Sequence, residues 1–159
     1  MSRLIAVLAL LLSLTAARAA AAEVELVRVW AAWRNADAFD RISEYFTGKE
    51  DTGRQIVLRT HPDARAGFYY LVRVANHGAA LAGAKFSLQL IAPDSPNLKT
   101  YTFPAEVANK STVYLLGLTG ADWTDHKAHP VAWKLELLAA DGKVAASAQS
   151  FLWEKPAKP

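Results

Sequence analysis

Two short stretches of this 159-residue chain carry side chains able to do chemistry. The first is Asp122-Trp123-Thr124-Asp125-His126-Lys127-Ala128-His129, which sets two carboxylates and two imidazoles within eight residues. Those groups are ligand types for zinc, copper or nickel, so Asp122, Asp125, His126 and His129 form a candidate metal site. The same loop would supply an acid and a base to a small hydrolase. Its spacing does not match His-Glu-x-x-His, which aims two imidazoles from one helix face, and no second cluster in the chain completes it. The competing reading is a solvated connection ending at Pro130, with Trp123 as its buried anchor.

The second stretch is Trp30-Ala31-Ala32-Trp33-Arg34, followed by Arg41, Glu44 and Tyr45. A flat indole offers large contact area for little lost entropy, and guanidinium groups beside it grip sugars or peptides. Trp30, Trp33, Arg34 and Arg41 are therefore candidate ligand-binding residues. Successive strand residues point to opposite faces, so Trp30 and Trp33 cannot both face solvent without a bulge. The burial statistics of tryptophan favour core packing for both rings.

Other chemistries leave no mark. No Gly-x-Ser-x-Gly elbow, phosphate-binding glycine loop or dinucleotide fingerprint is present, so no cofactor is expected. A triad of His61, Asp63 and a distant serine has no local support. Cysteine is absent, which removes thiol chemistry and disulfides. These absences favour a noncatalytic protein.

What must position the candidates is a set of strands. Residues 1–22 have a basic start at Arg3, an apolar run over 4–17 and small residues suited to signal peptidase, the layout of a secretory leader. The apolar run is too short to span a bilayer as a helix, and no later segment is longer, so no membrane span is expected after cleavage. The product is expected to be periplasmic or secreted. Arg3 and Arg18 leave with the leader, which takes the 18 basic residues to 16 against 15 acidic ones, 16 − 15 = +1. With its charges scattered singly, the chain has no run to neutralise successive phosphates, and nucleic acid is not an expected partner.

From Gln55 onward, apolar runs of five to ten residues alternate with turn clusters. Period-two alternation puts Phe86, Leu88 and Leu90 on one face, and Val131, Trp133, Leu135 and Leu137 on another. Asp141-Gly142 between two such runs predicts a terminal hairpin, with Trp133, Phe151 and Trp153 in the core. Strands are expected near 25–33, 55–60, 68–75, 84–92, 99–106, 112–118, 131–139 and 144–153. Residues 37–46 break the pattern: Phe39, Ile42, Tyr45 and Phe46 share a helical face, Asp37 can cap the start and Gly48 the end. That helix is expected to plug one end of a two-sheet sandwich. Residues 154–159 read as a flexible tail.

The segment from Tyr69 to Gly83, with its Val-Ala-Asn-His-Gly turn, resembles the strand, Asn-x-Gly turn and strand phrase of bacterial extracytoplasmic immunoglobulin-like domains of the cell-adhesion-related type. The resemblance covers roughly residues 55–153 and implies an all-β, immunoglobulin-like antiparallel β-sandwich of seven or eight strands. With the first strand and one short N-terminal helix, which is additional to the family's pattern, the domain is expected to span residues 23–153. Such domains are usually noncatalytic binding or spacer units. The expected partner is another envelope protein, with a polysaccharide held by an exposed tryptophan as the alternative.

Overall fold

A computed structural model describes residues 23–153; the expected leader and tail lie outside the described residues. Eight strands follow one another as β1 (Val24–Arg34), β2 (Gln55–Arg59), β3 (Gly67–Asn76), β4 (Leu81–Ile91), β5 (Leu98–Val107), β6 (Thr112–Thr119), β7 (Ala132–Leu138) and β8 (Val144–Gln149). They form two four-stranded sheets, ordered β1-β3-β6-β2 and β5-β4-β7-β8. The chain is an all-β sandwich with one short helix, as its alternation predicts.

Period two fixes which side chains meet between the sheets. The first sheet sends in Phe68, Tyr70, Val72, Val74, Tyr114, Leu116 and Leu118; the second sends in Phe86, Leu88, Leu90, Phe103, Leu135 and Leu137. Phe86 meets Tyr114 edge-on, ring centroids 5.0 Å apart, and Tyr70 meets Trp133 at 5.5 Å. Trp133 is half-buried against this core. The Tyr70 hydroxyl is enclosed there with no hydrogen-bond partner among the described residues, and burial raises its pKa. An unsatisfied buried hydroxyl costs free energy that a phenyl ring would not. Tyr70→Phe is therefore expected to leave stability unchanged or raise it by about 1 kcal/mol, read from the midpoint of chemical denaturation.

The turns behave as their residues demand. Gly142 takes φ +82° in the β7–β8 hairpin, where the Asp141 carboxylate accepts the Lys143 N–H. Asn76 is buried, accepts the Gly78 N–H and donates to the carbonyls of Ala79 and Ala108.

Several expectations need correction. The sandwich is not wholly antiparallel, because β2 runs parallel to β6. The reason is the route taken: β1 and β2 run in the same direction at opposite edges of one sheet, so residues 35–54 must return across that sheet's outer face. The expected single helix is also two pieces, a 3-10 turn (Ala36–Phe39) and helix α1 (Ile42–Thr47). Asn35 and Arg41, not Asp37, precede them, while Gly48 does end α1 in the left-handed conformation. Of the four apolar residues only Phe39 is buried, on Tyr69 and Leu115 of the outer sheet face, so the excursion covers a face and does not plug an end. Lastly, β8 stops at Gln149: the Ser150 N–H still bonds to the Trp133 carbonyl, and the chain then turns into a 3-10 turn (Phe151–Trp153). Phe151 is 80% exposed, Trp153 is half-buried, and Val131, just before β7, is also exposed.

Candidate functional site

The outer face of the first sheet is where the fold gathers the residues of interest. Registers across β1, β3, β6 and β2 align three rows: Arg28, Arg73, Val113 and Gln55; Trp30, Leu71, Leu115 and Val57; Ala32, Tyr69, Gly117 and Arg59. Side chains in a row stand side by side on one face.

In the third row the absence of a side chain at Gly117 lets the Tyr69 ring lie across its backbone. A Cβ at Gly117 would sit 2.7 Å from Tyr69 Cζ and closer still to Cε1. The Tyr69 hydroxyl donates to the Arg65 carbonyl at 2.7 Å and accepts from Arg59 Nε at 2.8 Å. The Arg59 side chain is only 7% exposed, with its guanidinium 4.8 Å from the Phe39 ring centroid. It donates to both carboxylate oxygens of Glu50, with Nη1 at 2.7 Å from Oε2. The bond from Arg59 holds the Glu50 carboxyl below its ordinary pKa, and the same pair raises that of the guanidinium.

Arg65 completes the attachment by pairing with Asp40 and Glu44, each at 2.9 Å. Ser43 donates to the Asp51 carboxylate at 2.5 Å. Ser43 and Glu44 of α1 are thus held by bonds to the protein, which turns the apolar side of the helix outward. Ile42, Tyr45 and Phe46 are 85%, 90% and 79% exposed, and the rings of Tyr45 and Phe46 meet edge-on. At positions i, i+3 and i+4 they form one apolar helix face directed at solvent.

Trp30 is 60% exposed on the same sheet face, so core packing is corrected for this ring. The Arg28 guanidinium stacks 5.2 Å from its centroid. Trp33 takes the opposite parity, packs against the core, and donates its indole N–H to Asn35 at 2.8 Å. Trp30, Trp33 and Arg34, with Ala32, Tyr69 and Leu71, border a concavity of about 320 Å³. Arg41 is not brought there. Its guanidinium lies beside Gly53, just before β2 at the other edge of the sheet.

The Asp122 to His129 loop disperses its polar groups. Trp123 is buried against Phe68, as expected of an anchor, and donates to the Asp125 carbonyl. Asp122 pairs with His61 at 3.2 Å, whereas Asp125 accepts the Lys127 N–H. His126 faces Trp33 and His129 faces Phe68, ring against ring. Among the described residues, no three of His, Cys, Asp or Glu stand together as a metal-binding group. The partner of His61 is thus Asp122 and not its sequence neighbour Asp63.

The apolar face of α1 was legible as a pattern but not as a surface, and Arg28 was missed, although its period of two with Trp30 and Arg34 is the signal that would have found it. Nothing in the sequence sets Arg73 beside Arg28, or Glu50 on Arg59, since both depend on strand register and on the path of the 35–54 excursion. No family model and no curated protein matches the chain.

Proposed function

We propose that this chain is a noncatalytic, immunoglobulin-like interaction module, exported through its leader to the periplasm or beyond, and that it binds another envelope protein through the apolar face of α1. The observation that carries this reading is the outward presentation of Ile42, Tyr45 and Phe46 by a helix whose polar residues are bonded down. Burying one such side chain is worth about 1.5–3 kcal/mol, stabilisation the isolated chain forgoes and an apolar groove on a partner would recover. Aromatic anchors of this kind dominate protein interfaces. Apart from β2, the sheets read β1-β3-β6 and β5-β4-β7-β8 with crossings from sheet to sheet, which supports the immunoglobulin-like reading.

Affinity capture from envelope extract tests it, comparing the tagged protein with I42S/Y45S/F46S. One protein retained near equal stoichiometry by the wild type and lost by the variant is expected; equal retention by both would overturn the reading. These side chains are exposed, so the variant should keep its thermal midpoint. A second reading, carbohydrate binding, is favoured by one observation, the exposed indole of Trp30.

A further inference from the structure

We infer that the Trp30 face is a binding surface for an acidic polysaccharide, one bearing uronate carboxylates; this rests on the carbohydrate reading of Trp30 and adds the charge of its ligand. The surface is independent of the α1 face. Along β1, Arg28, Trp30, Ala32 and Arg34 share one side of the strand, and Arg73 stands opposite Arg28 on β3. At strand rise the line from Arg28 to Arg34 spans roughly 20 Å, the scale of several sugar units and not of one small molecule.

Charge selects the ligand. Arg28, Arg34 and Arg73 make no ion pair among the described residues, although carboxylates elsewhere on this sheet face are used: Glu50 by Arg59, Glu44 and Asp40 by Arg65. The acid on this face of β1 is Glu25, opposite Ala75 at the far end of the strand. Arg28 over the exposed indole, with Arg34 and Arg73 on the same sheet face and in no ion pair among the described residues, thus offers planar carboxylate recognition beside a stacking platform. The Arg28 stack fixes the ring and leaves it 60% exposed.

Geometry favours sugar over an acidic peptide. A peptide would most readily add to the free edge of β1, but β8 of the other sheet lies alongside that strand. On the sheet face no main-chain groups are offered, and what remains is a ring for stacking and cations for carboxylates.

Affinity electrophoresis of the purified protein through gels containing polygalacturonate, alginate, hydroxyethylcellulose, dextran or polyglutamate tests the inference. Retardation by a uronate polymer, weakened at high salt and reduced at least about tenfold in Trp30→Ala and in Arg73→Glu, is the expected result. Retardation by the neutral polymers alone would keep the carbohydrate reading and overturn the acidic one. Equal retardation by polyglutamate would assign the face to acidic peptides, and no retardation by any polymer would overturn both readings of Trp30. Trp30 and Arg73 are exposed, so both variants should fold, which circular dichroism checks.

Discussion

Glu50→Ala is expected to destabilise the protein by about 2–3 kcal/mol, because it strands the Arg59 guanidinium in a nearly closed site. Breaking a fully buried pair costs more, but Glu50 keeps 24% of its side chain exposed, and water admitted there softens the loss. The site has three walls: the Phe39 ring, the Tyr69 hydroxyl and the carboxylate itself. Replacing both charges, as in E50L/R59M, should recover most of the loss, since no uncompensated charge is then left behind. Denaturant titration of the wild type and the two variants gives the comparison. A loss as large in the double variant as in Glu50→Ala would show that the pair is not what holds the excursion.

The same pair sets an acid limit. Glu50 titrates lower in the folded chain than in the unfolded one, because Arg59 donates to its charged form. Its contribution is therefore complete above the ordinary glutamate pKa and is lost as the pH falls through the lowered one. Wild type and Glu50→Ala should converge in stability at strongly acid pH and diverge towards neutrality.

Gly117→Ala should cost about 3 kcal/mol, or roughly 10 °C in thermal midpoint, although it adds one methyl group to a strand. The new Cβ would occupy the position of the Tyr69 ring, and the strand behind it is pinned between β3 and β2. The ring must then leave, and its hydroxyl loses both Arg59 and the Arg65 carbonyl. In a Tyr69→Leu background the substitution should cost far less, because the three atoms nearest the new Cβ all belong to the ring. This is a double-mutant cycle with a large coupling, and additive costs would contradict the account.

Both predictions concern residues whose importance the sequence conceals. Gly117 sits in the run Tyr114 to Thr119, which reads simply as a buried strand, and its need to be glycine follows only from Tyr69 facing it across the β3–β6 register. Strands of clear period two, such as Phe86 to Leu90, were legible because Phe86, Leu88 and Leu90 are buried as parity requires, although Ser87 between them is buried too. The hairpin at Asp141-Gly142 was legible for the same kind of local reason, a required positive φ. The parallel pairing of β2 was not, since it depends on the chain crossing twenty residues of outer face before β2 begins. The exposure of α1 was hidden differently. Apolar residues at i, i+3 and i+4 announce a face that belongs against something, and a single chain invites the assumption that its own core is that partner. Here Arg65 and Asp51 claim the polar side, and Phe39 alone fills the available place on Tyr69 and Leu115.

The outward face of α1 is the feature on which the functional account rests. Once a partner has been captured, isothermal titration of that partner against the wild type and I42S/Y45S/F46S tests it most directly. The account predicts one-to-one binding by the wild type and a weakening of at least about tenfold in the variant at an unchanged thermal midpoint. Equal affinity for the two proteins would contradict it.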